Sequence, residues 1–312
     1  MSNPINLTFD VIIDESFSSI NTDSTLNPID NKKVLGLLNN FENGQWRYSH
    51  FQNFIWDNIK ETALSAKERE ALIEDGEGTT LAIAAKNLRF TDKENDPTKG
   101  SELAEIALYG LMRRHYKALP VVPKIFYKQN SQDPAKGADS VHIVIEGDND
   151  FSLWFGEAKF YNSIEDDRLG EVIESISNSL IPDKLKKENS IITNIKDMDI
   201  LISNEGLRTK IKSLLDYRKS TDDLKARIQI PILLLHECAI TKNQKEFTTE
   251  YKDSIIKYHK ERAQSYFKKQ ISKLSSAVTK YSEIKFHIIL FPVPNKQLII
   301  ETFLKKAEAH RI

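Results

Sequence analysis

The sequence contains a single cysteine, Cys238, in 312 residues. One cysteine can form no internal disulfide and cannot build a cysteine-rich zinc site, so both kinds of scaffold are excluded. A chain without disulfides suits a reducing cytoplasm. The first residues lack the basic region and apolar run of a secretion signal. No stretch approaches the ~18 consecutive apolar residues of a membrane span. We therefore expect a cytoplasmic protein with no membrane partner.

An excess of one charge sign is also absent, because 44 Lys and Arg residues face 45 Asp and Glu residues. No global field would attract nucleic acid, so any attraction must come from a local patch. The sequence has no Walker A loop, no G-x-S-x-G elbow and no dinucleotide-binding glycine pattern. Hydrophobic residues make up 40% of the chain, which is typical of a globular protein with a sizeable core.

The order of the patterns predicts an α/β fold, in which a mixed β-sheet core is flanked by helices. The periodicity of residues 101–119 is that of a helix, and residues 123–129 and a hairpin within 136–161 read as strands. Further along, we predict a helix at 166–180, a buried strand at 227–239, a basic helix at about 249–281, a strand at 285–293 and a closing helix. The earlier part is mostly helical, apart from a strand at 7–13.

A polar stretch at residues 91–100 marks a predicted boundary between two parts of the chain. Residues 1–97 would form a mainly helical N-terminal subdomain. Residues 98–312 would form the second domain, with the basic helix in its C-terminal part.

Three charged residues stand at the open end of the predicted hairpin. Side chains alternate along a strand, so Glu157 and Lys159 share one face. Residues 147–150, "GDND", have the composition of a turn. A loop of about three to five residues would put Asp139 opposite residues 157–159, and two of those registers place it on the same face. The sequence therefore predicts that Asp139, Glu157 and Lys159 converge.

These three residue types suit metal-assisted hydrolysis of a phosphodiester. Two carboxylates with waters form a hard oxygen site for Mg²⁺ or Mn²⁺, so Asp139 and Glu157 are the candidate metal ligands. Lys159 would orient the attacking water and stabilise charge on the phosphate. Glu105 is a fourth catalytic candidate, because its apolar neighbours place it near the buried side of its helix. The alternative is a surface ion pair between Glu157 and Lys159, which stabilises by at most about 1 kcal/mol.

The segments "GAD" at 137–139 and "GEAK" at 156–159 resemble the signature of the PD-(D/E)XK nuclease superfamily, although Ala135 and Lys136 rather than a Pro-Asp pair precede Gly137. The wider pattern, including "SELAEIALYGLM" and "FGEAKFY", resembles the HamA-like nuclease subunit of the Hachiman antiphage defence system. The resemblance implies a metal-dependent deoxyribonuclease that a superfamily-2 helicase restrains until infection. It assigns the site to Asp139, Glu157 and Lys159, and less closely to Glu105.

Several other residues leave alternatives open. Four lysines of the basic helix are candidate contacts to nucleic acid or to a partner protein: Lys257, Lys268, Lys269 and Lys273. The alternative is that they form an ordinary solvated face. His142 is read as a hydrogen-bonded sheet histidine, or as an assistant to the site. Ser175, Ser177 and Ser179 lie on the next helix and either contribute to the site or form an ordinary polar face. The alternative function is a catalytically inactive nuclease-fold subunit that binds nucleic acid or a helicase, and an RNase on the same scaffold also stays open.

Overall fold

The computed structural model describes residues 6–89, 100–127, 137–194 and 196–311. The strands are β1 (Asp10–Ser16), β2 (Lys32–Leu38), β3 (Phe41–Glu42), β4 (Gln45–Trp46), β5 (Leu119–Val122), β6 (Ser140–Glu146), β7 (Asp150–Tyr161), β8 (Ile228–Glu237) and β9 (Lys285–Val293). The helices are α1 (Phe17–Ile20), α2 (Tyr48–Asp57), α3 (Ile59–Ala63), α4 (Ala66–Ala71), α5 (Glu77–Lys86), α6 (Ser101–Arg114), α7 (Lys124–Tyr127), α8 (Asp166–Ser179), α9 (Pro182–Asn194), α10 (Asp197–Leu201), α11 (Glu205–Leu214), α12 (Ala239–Lys242), α13 (Thr249–Leu274) and α14 (Lys296–His310).

Within the described residues, seven strands form one mixed sheet in the order β1-β2-β9-β8-β7-β6-β5. Four strands, β2, β9, β8 and β7, run parallel to one another. The pairs β1–β2, β6–β7 and β5–β6 are antiparallel. Every residue of β8 except the last is buried, as expected for a parallel strand covered on both faces. The predicted α/β fold with a mixed sheet is confirmed.

Two hydrophobic layers cover the two faces of the sheet. Ile232 and Leu234 of β8 point into a core shared with α8 and α13. Leu233 and Leu235 point the opposite way, into a core shared with α2, α6 and α14. This alternation follows from the two-residue period of a strand. The sheet is therefore a middle layer between two layers of helices.

The N-terminal part of the chain contributes directly to the central sheet. Strand β2 pairs with β9 near the C-terminus, and β1 pairs with β2 at the sheet edge. The helices α2, α3 and α5 pack on the same face as α6 and α14. The boundary predicted at residue 97 lies outside the described residues, so the division into two domains stays a prediction.

The prediction of a strand at residues 123–129 is wrong. Lys124–Tyr127 form a helical turn, and the strand is β5, formed by Leu119–Val122. The prediction places the strand too late in the chain, because Pro120 is interpreted as the residue that ends the preceding helix. Strand β5 is at the edge of the sheet, where a missing backbone N–H is tolerated. Strand β2 was not predicted, since its residues lack the polar–apolar alternation of a half-exposed strand.

None of the described helices combines the length and hydropathy that a membrane-spanning segment needs.

Gly156 lies where β7 passes close to its neighbours on both sides. A Cβ atom at this position would be 2.2 Å from Ser140 Oγ on β6 and 2.7 Å from Leu108 Cδ2 on α6. Both distances are shorter than atoms tolerate, so the Ser140 and Leu108 side chains would have to move from their packed positions. The glycine of "GEAK" therefore has a packing role next to Glu157.

We expect Gly156→Ala to lower the free energy of unfolding by about 1–3 kcal/mol, because the added methyl overpacks the sheet. Gly170→Ala is the matched control, since it lies in α8 with open space around the added Cβ. It should raise stability by up to about 1 kcal/mol through helix propensity. Urea denaturation measures both, and equal effects of the two substitutions would contradict the packing role.

Candidate active site

The register of the β6–β7 hairpin brings the three predicted site residues together. Ser140 pairs with Gly156, and Glu146 pairs with Asp150 across a three-residue loop. Just beyond the ladder, the Asp139 N–H donates to the Gly156 carbonyl at 2.8 Å. The Ala158 N–H in turn donates to Asp139 Oδ2 at 3.1 Å. The Asp139 carboxylate is thus held against the backbone between Glu157 and Lys159.

The Lys159 ammonium lies between the two carboxylates. Its nitrogen is 2.6 Å from Glu157 Oε1 and 3.7 Å from Asp139 Oδ2. The Glu157 side chain is only 6% exposed, whereas Lys159 is 32% exposed. The cluster therefore has a buried side at Glu157 and an open side at Lys159, where it borders a cavity of about 460 Å³.

Burial and neighbouring charges shift the pKa values of this cluster. Burial raises the pKa of Glu157, and the Asp139 charge raises it further, while Lys159 and hydrogen bonding from Ser175 oppose the rise. Burial alone would lower the pKa of Lys159, but Asp139 and Glu157 outweigh it and the pKa is raised. Lys159 is therefore protonated at neutral pH and can act as a cation and donor, not as a general base.

Ser175 is one of the three helix serines singled out in the sequence. It approaches Glu157 from α8, and its hydrogen bonding favours the charged form of the carboxylate. The spacing of serines along the helix gave no reason to choose among them. The position of α8 over the sheet determines that Ser175 is the serine near Glu157.

Glu105 is buried on α6, with 4% of its surface exposed. No group of three or more Asp, Glu, His or Cys side chains among the described residues is placed to hold a metal ion. Glu105 stays a candidate on α6, the helix that packs against the strand carrying Glu157. Its catalytic role stays a prediction.

A buried ion pair holds the start of β6. Lys124 on α7 is fully buried, and its nitrogen lies 2.8 and 2.7 Å from the two carboxylate oxygens of Glu188 on α9. Glu188 Oε1 also accepts from the Ala138 N–H at 3.1 Å. A Cβ at Gly137 would be 1.9 Å from that same oxygen. The glycine of "GAD" therefore admits the carboxylate that positions the residue before Asp139.

Sequence reasoning missed this pair. Lys124 and Glu188 are 64 positions apart, so no local spacing connects them. The only signal of this contact in the sequence was Gly137, because a glycine two residues before a candidate metal ligand indicates that another group approaches the backbone closely.

His142 is fully buried on β6, with its ring centroid 4.5 Å from that of Tyr109 on α6. The prediction of a hydrogen-bonded histidine is wrong, because neither ring nitrogen has a hydrogen-bond partner among the described residues. Burial lowers the pKa of His142 to about 3. The side chain is therefore neutral and serves as a packing group beneath the site.

The four lysines predicted as nucleic-acid or partner contacts lie on α13, and three of them form ion pairs. Lys268 pairs with Asp23 at 3.5 Å, Lys269 with Asp166 at 3.3 Å, and Lys273 with Glu174. Lys257 is exposed and forms no ion pair within the described part of the chain. Lys269 and Lys273 attach α13 to the acidic face of α8, so much of the positive charge is neutralised within the protein. The contact role of these lysines stays a prediction.

The mixed sheet flanked by helices and the charged hairpin end are consistent with an α/β nuclease-like fold. A model of the HamA family matches residues 13–307, nearly the whole chain. The chain belongs to the HamA family, which confirms the resemblance to a HamA-like Hachiman subunit. No curated protein matches the sequence significantly.

We expect Glu188→Gln to lower the free energy of unfolding by about 3 kcal/mol or more, because it removes the carboxylate charge that both pairs with the buried Lys124 ammonium and accepts from the Ala138 N–H. Lys212→Met is the control, since it breaks a pair with Asp199 in which both side chains are over 40% exposed. That change should cost less than about 1 kcal/mol. Chemical denaturation compares the two, and losses of equal size would contradict a special role for the buried pair.

The pKa of His142 generates a pH-dependent prediction. The unfolded chain protonates this residue near pH 6.5, whereas the folded protein does so only near pH 3, so the unfolded state binds more protons between these values. Stability is therefore lost as pH falls below 6.5. His142→Leu should lose about 2 kcal/mol less stability than the unsubstituted protein between about pH 7 and pH 5. Denaturation at both pH values measures this, and identical pH dependence would refute it.

Proposed function

We propose that this chain is a divalent-metal-dependent deoxyribonuclease, and that it is the effector subunit of a Hachiman antiphage defence system. The observation that supports the activity is the convergence of Asp139, Glu157 and Lys159 at one hairpin end. Membership of the HamA family supports the defence role. The reaction would be in-line hydrolysis of phosphodiester bonds, without a covalent intermediate.

The donor set fits Mg²⁺ or Mn²⁺. Asp139 and Glu157 present hard carboxylate oxygens at one place, and Mg²⁺ is commonly held by one or two carboxylates together with waters and substrate phosphates. A third protein ligand is therefore not required. When bound, the metal would polarise a phosphoryl oxygen and lower the pKa of a water.

The protein side chains have separate tasks in this proposal. The Ala158 N–H and the Gly156 carbonyl fix Asp139, so its carboxylate is oriented before any ligand arrives. Lys159, held protonated by its two neighbours, orients the attacking water and stabilises the charge that builds on the phosphate. Buried Glu157 has a raised pKa, and a cation beside it would favour its ionised form.

A subunit that only binds would not need this arrangement. Placing Glu157 in a nearly buried position disfavours its ionised form, and a binding surface gains nothing from that. The paired lysines of α13 also provide less free positive charge than an isolated basic helix would. Both observations favour a catalytic role over the inactive alternative.

The charge distribution supports dependence on a partner. The net charge is -1, and Lys269 and Lys273 of the basic helix pair with carboxylates of α8, so the chain alone would bind DNA weakly at physiological salt. We propose that a superfamily-2 helicase subunit holds the nuclease inactive and delivers it to DNA on infection.

We expect Lys159→Met to reduce the rate of DNA degradation by at least about 100-fold, because it removes the cation that faces the reacting phosphate. The measurement is nicking of supercoiled plasmid with Mg²⁺ or Mn²⁺, with the chain alone and with its partner helicase, and with labelled RNA in parallel. EDTA should abolish the activity. Lys212→Met, which is exposed on α11, is the matched control with the same loss of charge and should behave as the unsubstituted protein.

Two results would count against the proposal. One is equal degradation by the unsubstituted protein and Lys159→Met. The other is no degradation of DNA by the unsubstituted protein, even after release from the helicase.

A further inference from the structure

The cavity beside Lys159 extends past the three-residue cluster. It has a volume of about 460 Å³ and is lined on one wall by Lys159 and the residues that follow it on β7. The other walls are the first residue of α6, Ser101, the first turn of α8, and Lys296, the first residue of α14. Three cationic side chains line this space: Lys159, Arg168 and Lys296. One carboxylate, that of Glu171, lines it with them.

Lys296 is held in place by the fold. Its backbone N–H donates to Glu237 Oε2 at 3.0 Å, which anchors the start of α14 to the end of β8. Its side-chain nitrogen donates to the Phe160 carbonyl at 2.6 Å and lies 5.4 Å from the centre of the Phe160 ring. No carboxylate in the described ranges forms an ion pair with it. The ammonium is therefore fixed beside the residue after Lys159, and the attraction of Glu237 for its charge is outweighed by burial and by Arg168.

Arg168 adds a second positive group to the same cavity. It lies in the first turn of α8 and is 57% exposed, and its pairing with Glu171 at 3.3 Å is at the surface. Burial lowers the pKa of Lys296, and repulsion from Arg168 lowers it further, while attraction to Glu237 opposes the shift. The two cations therefore disfavour each other in the free protein, and an anion between them would relieve that repulsion. The N-terminus of α6 at Ser101 adds partial positive charge to the same space.

We propose that Lys296, assisted by Arg168, binds a backbone phosphate of the nucleic-acid strand next to the phosphate that Lys159 faces. The inference rests on the proposed nuclease function and specifies how that site holds its substrate. A phosphodiester chain with one phosphate at Lys159 can continue into the adjoining cavity, where Lys296 and Arg168 present positive charge to the neighbouring phosphate. A single inorganic phosphate would contact Lys159 or Lys296, whereas a strand with two phosphates would contact both.

The test measures DNA binding without cleavage. Fluorescence anisotropy of a labelled DNA duplex is followed across a series of NaCl concentrations, with Ca²⁺ replacing Mg²⁺ and with the length of the DNA checked on a gel. Removing one lysine–phosphate contact should weaken binding and make the slope of log K against log salt less steep by about 1. We expect this change in Lys296→Gln. Lys296→Arg, which keeps the charge, should retain the slope of the unsubstituted protein.

Lys306→Gln is the matched control. It lies on the same helix and removes the same charge, but its nitrogen lies 5.3 Å from the centre of the Trp56 ring and it lines a different cleft. Its slope should equal that of the unsubstituted protein. A slope for Lys296→Gln equal to that of the unsubstituted protein, or an equal change in Lys306→Gln, would overturn the phosphate site. So would the absence of measurable binding by the unsubstituted protein at low salt.

The phosphate site and the nuclease proposal can fail separately. If Lys159→Met loses activity while Lys296→Gln keeps its salt slope, the nuclease stands and the phosphate site falls. If Lys296→Gln changes the slope while no preparation degrades DNA, the phosphate contact stands and the catalytic proposal falls.

Discussion

The hydrogen bond from the Ala158 N–H to the Asp139 carboxylate is the interaction on which the candidate site depends. It joins the start of β6 to the end of β7, so it exists only if the hairpin has its observed register. A shift of one residue would turn Glu157 and Lys159 to the other face of the sheet. The register is in turn protected by two close approaches: Ser140 and Leu108 against Gly156, and the Glu188 carboxylate against Gly137.

Several charged side chains in this protein pair with a nearby opposite charge. Lys159 offsets two carboxylates that would otherwise repel each other, and the fully buried Lys124 is matched by Glu188. Lys269 and Lys273 of α13 are matched by Asp166 and Glu174 of α8. Lys296 is held by a carbonyl oxygen, as is the fully buried Lys32, but Lys296 lines the cavity beside the candidate site. Lys159 and Lys296 thus line the same cavity, where a polyanion could contact both.

Much of the fold and the centre of the site could be predicted, because they depend on local periodicity. Buried strands such as β8 read as continuous apolar runs, and the hairpin followed from its turn composition and alternation. The same logic failed where context overrides local signals. Pro120 reads as a helix stop but lies in an edge strand, and β2 is a parallel strand that lacks alternation. His142 was expected to have a hydrogen-bond partner, yet packs against Tyr109 instead.

The sequence by itself determined the α/β class, the hairpin, and the shared face of Glu157 and Lys159, because each depends on residues close together in the chain. Only the tertiary structure decided that Ser175 approaches Glu157, that Glu188 braces the start of β6, and that Lys296 lies beside the site. The Lys296 contact spans 136 positions and the Glu188 contact spans 50. Contacts of that range leave no periodic trace in the sequence, because they are set by how helices pack over the sheet and not by the spacing of residues along one element.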